Sequence, residues 1–446
     1  MAESPLMQTD TRNDGFPAKI FLVYVLFFTG QAIYNTYLNL YLFENGMSQT
    51  IIGTVSAITT LVLMLVKPFW GVVSDKSKSK NRVVGLLLMA AALVVFGFYF
   101  SKSVIWMAMC MILFTMFYNP ATTLQDSYAV EYLNTNSKKW DFGHVRLGGT
   151  MGFMVSSALI GYIIGKNYSQ IFWMMGAFLV VTALVYFMLP NLSGHRQKHE
   201  KVKYSVLIKN RTLVCIIFFS LMYSLGQSFL RYYPIYYTDK LGAPSQLVGV
   251  MAAVAALSEI PIFWFAGRIE RRIGTVNFLT LAGSAIVLKL LLLHFVTNPY
   301  LVLLCNLTHG LGFAGSNYCT IKFINDNVPA NMRSTAQTLN GIVISLCSQV
   351  FVAPLVGFLS DHYDVRDLLL IGAAILTVGV VVFRIIFPMA KKYMLAHPVE
   401  GMHLASEGAA AAGSAEAPSG AELQYEEKDE ASVSAAVDSK SGQSDK

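Results

Sequence analysis

The residues of this chain that are best able to do chemistry are a few ionisable side chains inside long apolar stretches. Glu259, Lys289 and His309 lie in three consecutive stretches of this kind. An ionisable side chain at the centre of a bilayer costs roughly 2.5–3.5 kcal/mol, so it is rare unless it is paired or faces water. A carboxylate and an imidazole in such a place can exchange protons as their access to water changes. We predict that these three residues handle protons, with Lys289 able to neutralise Glu259. A fixed ion pair between two helices is the alternative.

A second polar group lies in the first half of the chain and is predicted to hold a small solute. Asp126 follows Asn119 by seven residues, so both fall on one helix face, and Arg146 begins the next apolar stretch. A structural salt bridge between Asp126 and Arg146 is the alternative. Amide side chains in other stretches are predicted to complete the solute site: Gln31, Asn35, Gln227 and Asn317.

Composition identifies the elements that must carry these residues. Hydrophobic residues make up 54% of the 446 residues and charged residues only 13%, whereas an ordinary globular domain is about 25% charged. Because about 20 apolar residues cross a bilayer as a helix, the chain is predicted to be an all-α membrane protein with twelve transmembrane helices. The predicted spans lie at about 18–42, 49–73, 83–101, 104–130, 146–165, 170–190, 211–237, 246–267, 276–296, 299–321, 335–358 and 367–389.

Two parts of the chain repeat each other 196 residues apart. Gly30-Gln31 and Tyr37 recur as Gly226-Gln227 and Tyr233. A parallel repeat of two hydrophobic halves places a solute site at the seam between them. We therefore predict two six-helix bundles. The predicted divisions are an N-terminal tail at 1–17, a first bundle at 18–190, a basic linker at 191–210, a second bundle at 211–390 and a mostly disordered tail at 391–446.

Basic residues predict the orientation in the membrane. With the N-terminus inside, the inner loops hold sixteen Lys and Arg residues and the outer loops hold four. Positive loops stay in the cytoplasm, so both termini of this multi-pass protein of the cell membrane are predicted to be cytoplasmic. This asymmetry explains the net charge of +7, and it argues against nucleic acid as a partner. The expected partners are the lipid bilayer, a small-molecule substrate and protons, and we expect the protein to work as a monomer.

Cysteine spacing and loop motifs give no support for a cofactor. The five cysteines lie inside apolar spans, without the spacing of a zinc site and in an odd number, so no metal or disulfide framework is predicted. No Gly-x-x-x-x-Gly-Lys-Ser/Thr phosphate-binding loop is present. Energy must therefore come from an ion gradient or from the gradient of the solute itself.

One loop resembles the signature of the major facilitator superfamily, Gly-x-x-x-Asp-Arg/Lys-x-Gly-Arg/Lys-Arg/Lys. Gly71-Val-Val-Ser-Asp75-Lys76 is followed by further basic residues up to Arg82, and the second glycine of the pattern is missing. The glycine allows close helix contact, and the aspartate can meet a neighbouring helix end in one of two states. Gly71, Asp75, Lys76 and Arg82 are therefore predicted to form a conformational-switch loop.

Three further motifs resemble the lactose permease and phenylpropionate permease group of that superfamily. They are Asp141-Phe-Gly-His-Val-Arg146-Leu-Gly-Gly, Ser258-Glu259-Ile-Pro-Ile-Phe and Leu307-Thr-His309-Gly. The resemblance implies proton-coupled uptake of sugars, nucleosides or small aromatic acids. It also implies that Arg146, with Asp126, holds the solute.

The chain departs from the lactose permease near His309. Asn306 and Gly312 stand where that permease has a lysine and the acid that carries its proton. If protons are coupled, Glu259 or Asp126 must carry them, and sodium coupling or facilitated diffusion stays open.

The sequence as a whole favours a secondary active transporter of a small polar solute, working by alternating access and proton symport. Efflux of amphipathic compounds by proton antiport is the alternative within transport. A membrane-embedded enzyme is the alternative outside it, but an enzyme needs a compact catalytic group. The titratable residues here are spread over both halves, so the chain is predicted not to be an enzyme.

Overall fold

The structure is a computed structural model that describes residues 16–136, 140, 142–165, 167–192, 204–329 and 332–397. All regular structure in these residues is helical. The first half contains α1 (Ala18–Glu44), α2 (Gln49–Lys76), α3 (Lys80–Phe96), α4 (Val104–Asn136), α5 (Phe142–Ile164) and α6 (Gln170–Phe187). The second half contains α7 (Tyr204–Lys209), α8 (Arg211–Ser228), α9 (Tyr233–Asp239), α10 (Ser245–Ile273), α11 (Thr275–Phe295), α12 (Pro299–Cys305), α13 (Thr308–Asn327), α14 (Arg333–Ile344), a π-helical segment (Ser345–Val352), α15 (Ala353–His362) and α16 (Val365–Ala396).

Eleven helices of the described residues are long and apolar enough to cross a membrane. The tenth predicted span differs, because it consists of α12 and α13 with a turn at Asn306 and Leu307 between them. The Asn306 side chain donates to the Val302 carbonyl over 2.9 Å, and the Thr308 hydroxyl donates to the Cys305 carbonyl over 2.8 Å. These side-chain bonds satisfy the carbonyls that the break releases.

Two other spans of the second half are also interrupted. Residues 229–232 separate α8 from α9. Pro354 lies in the first turn of α15, directly after the π-helical segment. Proline has no N–H to bond an earlier carbonyl, so it interrupts the regular ladder of hydrogen bonds. The corresponding spans of the first half, α1, α4 and α5, are continuous among the described residues.

Helix boundaries repeat at nearly the predicted spacing. α2 begins at Gln49 and α10 at Ser245, which is 245 − 49 = 196 residues later. α1 ends at Glu44 and the α8–α9 span ends at Asp239, which is 239 − 44 = 195 residues later. By its contacts the helical part forms one unit within residues 1–404, so the division into two bundles stays a prediction.

The predicted tails and linker fall largely outside the described residues. α16 continues to Ala396, so the predicted boundary at 390 lies within a helix. Residues 1–15, 193–203 and 398–446 are outside the described part of the chain.

The two halves pack tightly against each other at one end of the molecule. This closed end contains the starts of α2 and α10 and the ends of α5 and α15. A Cβ atom at Gly249 would collide with the Ser157 carbonyl, and one at Gly357 would collide with the Gln49 carbonyl. At the opposite end of α2, a Cβ at Gly71 would meet no heavy atom within 4 Å. The sequence predicts that the closed end faces outward.

Candidate functional site

The predicted solute residues Asp126 and Arg146 are joined by an aromatic side chain that sequence reasoning missed. The Tyr24 hydroxyl donates to Asp126 Oδ1 over 2.6 Å. The guanidinium carbon of Arg146 lies 4.0 Å from the centre of the Phe28 ring and 5.9 Å from that of Tyr24. Arg146 and Asp126 form no ion pair within 4.0 Å, and no described carboxylate lies that close to Arg146. Tyr24 and Phe28 are one helical turn apart on α1, and this spacing was the available signal.

A glycine determines where the Arg146 side chain can lie. α5 packs closely on α1, and a Cβ at Gly149 would collide with both the Arg146 guanidinium and the Phe28 ring. The Arg146 side chain is half-buried. A cation held over an aromatic face in this way gains about 0.5–2 kcal/mol, depending on how far it is desolvated. The guanidinium is thus positioned by a ring and keeps N–H donors free to meet an anion or a hydroxyl.

The other first-half candidates form no hydrogen bond with the described residues. Asn119 and Gln31 are half-buried, and Asn35 is exposed. Between Gln31 and Asn35, the Tyr34 ring packs on Phe114 with 4.6 Å between ring centres. No hydrogen bond joins the side chains of Asn119, Gln31 or Asn35 to Arg146 or Asp126 within the described part of the chain, so their assignment to the solute site stays a prediction.

A polar cavity of about 220 Å³ brings together two other predicted residues, Gln227 and Asn317. It lies between α8, α13 and α14. Gln227 donates to the Tyr223 hydroxyl over 2.5 Å, and the buried Asn340 Oδ1 has no hydrogen-bond partner among the described residues. The complete lining is Ser220, Tyr223, Ser224, Gln227, Phe313, Ser316, Asn317, Thr320, Asn340 and Ile344. Hydroxyl and amide groups on three helices can therefore contact one small polar molecule.

Arg231 lies four residues beyond Gln227, just after the end of α8. Arg231 donates to Gln349 Oε1 in the π-helical segment. Its Nε atom is buried and has no hydrogen-bond partner in the described part of the chain. The helical spacing of Ser220, Ser224, Gln227 and Arg231 was visible in the sequence and could have indicated this face.

The three predicted proton-handling residues lie in a row across three helices. His309 Nε2 lies 3.6 Å from Glu259 Oε1, and His309 Nδ1 lies 3.4 Å from the Lys289 amine. Lys289 is buried, with 6% of its surface exposed. The predicted neutralisation of Glu259 by Lys289 is therefore not a direct contact, because the imidazole lies between the two charges.

Close packing of α13 on α10 determines this arrangement. The Gly310 N–H donates to the Ser258 hydroxyl over 2.9 Å, and a Cβ at Gly310 would collide with the Ser258 carbonyl. Ser258 directly precedes Glu259, and Gly310 directly follows His309. The contact between Ser258 and Gly310 therefore brings the two titratable side chains together. Gly312 packs so closely on Ile286 that a Cβ would collide with that side chain. An acid at this position would require the Ile286 side chain to move.

The predicted switch loop makes few contacts in this conformation. Asp75, Lys76 and Arg82 are exposed, and no ion pair within 4.0 Å joins them to a described residue. The close helix contact predicted at Gly71 is not present here. Next to this loop, the Lys80 amine lies 2.6 Å from Glu131 Oε2.

Comparison with known proteins agrees with this architecture. The MFS_1 like family matches residues 18–350. The maltose permease of Geobacillus stearothermophilus is 24% identical over 84% of this chain and 94% of that protein. The probable 3-phenylpropionic acid transporter of Escherichia coli (strain K12) is 26% identical over 47% of this chain and 56% of that protein.

A solved structure shares the fold. The crystal structure of the nucleoside transporter NupG aligns with a TM-score of 0.72 at 18% identity, covering 83% of this chain and 98% of that one. Twelve predicted spans, the repeat and these matches agree, so the resemblance to the major facilitator superfamily is confirmed. The chain belongs to the MFS_1 like family and is a multi-pass membrane transporter of the major facilitator type.

Proposed function

We propose that this transporter accumulates a small polar solute by symport with protons, working as a monomer in the cell membrane with both termini in the cytoplasm. The observation that carries the proposal is the row of Glu259, His309 and Lys289 inside the membrane-spanning region. Buried ionisable groups in transporters mark ion and proton pathways. The polar cavity beside α8 and the aromatic-held Arg146 supply groups for the solute.

The chemistry of the row follows from which atoms can donate. A charged Lys289 donates to His309 Nδ1, so a neutral imidazole carries its proton on Nε2. That N–H then faces the ionised carboxylate of Glu259 across 3.6 Å. When Glu259 takes up a proton, the carboxylate charge that attracts His309 and Lys289 disappears. Protonation therefore weakens the electrostatic attraction between Glu259 on α10 and His309 on α13. This changes which conformation is favoured.

The conformation supports alternating access. The halves meet at the closed end, while Gly71 at the opposite end of α2 has open space around it. With the orientation proposed here, the transporter is closed to the outside, and the end of α2 at Gly71 faces the cytoplasm. A symporter releases solute and proton in this state.

The solute is proposed to be a sugar, oligosaccharide, nucleoside or small organic acid. The cavity offers hydroxyl and amide groups, which suit hydroxylated solutes. Arg146 and Arg231 keep donors for a carboxylate, and Tyr24 and Phe28 offer aromatic faces. The names of the relatives span the same range, with a maltose permease, a 3-phenylpropionic acid transporter and a nucleoside transporter.

Efflux of amphipathic compounds by proton antiport is the second candidate. It is favoured by an aromatic column beside Tyr24, in which Phe27 stacks on Tyr118 at 5.0 Å and Tyr118 on Phe114 at 4.7 Å. Such faces suit flat apolar solutes.

Proteoliposomes with an imposed pH gradient test both candidates. Labelled maltose, uridine and 3-phenylpropionate would be offered with the acid side outside, and a protonophore would be the control. Symport predicts accumulation of at least one solute above equilibrium, abolished by the protonophore. Accumulation that the protonophore leaves unchanged would contradict proton coupling. Accumulation of an aromatic dye only when the lumen is acidic would favour antiport.

A further inference from the structure

A carboxylate of the second half covers the start of a helix of the first half at the closed end. Asp361, in the last turn of α15, accepts the Gln49 N–H at Oδ1 over 2.9 Å and the Thr50 N–H at Oδ2 over 2.8 Å. Oδ2 also accepts the Thr50 hydroxyl over 2.5 Å. Both oxygens of one side chain are thus engaged by two consecutive residues of α2, which lie 312 and 311 positions away in the chain.

These contacts matter because of where α2 begins. The first N–H groups of a helix have no partner within the helix, and together they form its positive end. Ser48 covers the Ile51 N–H over 3.3 Å from the residue just before α2. The Gln49 and Thr50 N–H groups receive their acceptor from the other half. If α15 moves away from α2, the carboxylate and these N–H groups must all find new partners.

Two other hydrogen bonds between described residues at the closed end join neutral groups. The Tyr37 hydroxyl donates to the Ser245 carbonyl over 3.3 Å, and the Ser245 hydroxyl donates to the Gly165 carbonyl. A hydrogen bond to a charged group is about twice as strong as one between neutral groups. Loss of the Asp361 contacts is therefore expected to change the balance between the closed and open states of this end more than loss of either neutral bond.

The sequence around Asp361 repeats the pattern of the switch loop. Gly357-Phe-Leu-Ser-Asp361 matches Gly71-Val-Val-Ser-Asp75 in its glycine, serine and aspartate. The two stretches lie at opposite ends of the molecule. In this conformation Gly357 packs on the Gln49 backbone and Asp361 is engaged, whereas Gly71 has no neighbour and Asp75 forms no ion pair with a described residue.

We infer that Asp361 is a gate residue that holds the closed end shut and must release α2 for that end to open. The inference rests on the alternating access proposed above. Asp361 touches no residue of the solute cavity or of the Glu259 row in these contacts. It acts as a positioning residue, because it sets the populations of two conformations rather than binding what is transported.

Distances between spin labels test the gate. The five native cysteines would first be replaced by serine. Spin labels would then be attached in two separate variants, one with Lys102→Cys and Lys240→Cys and the other with Lys78→Cys and Arg272→Cys. All four residues are exposed. The first pair lies on the predicted outer loops and the second on the predicted inner loops. Asp361→Asn removes the charge and one acceptor, so it should raise the ratio of outward-open to inward-open molecules about tenfold. The outer distance should lengthen as the inner distance shortens.

Two controls separate a gate from a general structural role. Asp361→Glu keeps the carboxylate and should restore most of the wild-type distances. Asp367→Asn removes an exposed charge from the first turn of α16, and should change neither distance. If Asp361→Asn folds with a normal melting temperature and leaves both distances unchanged, the gate inference is wrong while the transport function stands. If the wild type transports no solute in either gradient direction, the proposed function fails independently of this measurement.

Discussion

The two polar groups of this transporter differ in how their charges are satisfied. In the first half, Asp126 is held by Tyr24, and Arg146 is held by the Phe28 ring with no carboxylate of the described residues within 4.0 Å. In the second half, Glu259, His309 and Lys289 form a continuous row with contacts of 3.6 and 3.4 Å. The first group keeps donors for a partner from outside the chain. The second group is complete within itself and suits a proton.

The backbone shows the same difference. The first half crosses with continuous helices among the described residues, whereas the second half has breaks at residues 229–232, at Asn306 and at the π-helical segment. Broken spans bring polar backbone and side-chain groups to mid-membrane depth, where transporters use them. The half that we propose to handle the proton is thus also the half with more breaks in its described helices.

The largest expected effect follows from removing the titratable group of the second half. Glu259→Gln keeps the shape of the side chain but cannot exchange a proton. Solute accumulation driven by a pH gradient should fall by about 100-fold or more, while exchange of solute across the membrane without a gradient continues. Uptake into proteoliposomes measures the first and counterflow measures the second.

Glu270→Gln is the matched control for that experiment. Glu270 accepts from the Thr275 hydroxyl over 2.8 Å near the end of α10 and touches no member of the row. Its replacement should leave accumulation within about twofold of wild type. Gradient-driven accumulation that survives Glu259→Gln would remove the basis for assigning proton coupling to the second half.

A second prediction concerns the packing that assembles the row. Gly310→Ala places a Cβ against the Ser258 carbonyl, so α13 must move away from α10. Overpacking of this kind costs about 1–3 kcal/mol, and coupling should weaken because His309 moves away from Glu259. Melting temperature in detergent and the ratio of gradient-driven uptake to counterflow measure the two effects.

Gly341→Ala supplies the comparison, since a Cβ there would meet no atom within 4 Å. It should change neither quantity. Equal effects of the two substitutions would mean that the loss at Gly310 comes from helix geometry in general and not from contact with Ser258.

The first half can be tested through Arg146. Arg146→Lys keeps the charge but loses the planar group that lies over Phe28 and donates through several N–H groups. Affinity for the solute should fall about tenfold or more, while proton-driven accumulation at saturating solute persists. Arg268→Lys, which alters a second arginine over an aromatic ring, at 5.5 Å from Phe265, should leave affinity unchanged. Loss of coupling with normal affinity would reverse the roles given to the two halves.

Sequence reasoning predicted the all-α membrane fold and chose three residues that the structure brings into one row, and their role in proton coupling stays a prediction. Mid-membrane charges are rare enough to be recognised without neighbours, so Glu259, Lys289 and His309 could be chosen from hydropathy and type alone. It missed Tyr24, because the one-turn spacing of Tyr24 and Phe28 is shared by many aromatic pairs in this chain and does not reveal the partner Asp126. It also expected Lys289 beside Glu259, since helix order does not reveal which side chain lies between two others.

The smallest expected effect comes from removing the hydrogen bond between Tyr24 and Asp126 while the Tyr24 ring is kept. Tyr24→Phe removes the hydroxyl that donates to Asp126 over 2.6 Å but keeps the ring near Arg146. A hydrogen bond to a charged group contributes about 1.5–3 kcal/mol. Because Asp126 is only partly buried, we expect the contribution of this bond to be smaller. We expect the KM for solute to rise about three- to tenfold with kcat nearly unchanged, because Asp126 loses its orientation and the carrier keeps its proton row. Tyr162→Phe, on a side chain that is 67% exposed, is the control and should have no effect. A fall in kcat without a change in KM would show that Tyr24 serves the conformational change, and the division of labour between the two halves would then be wrong.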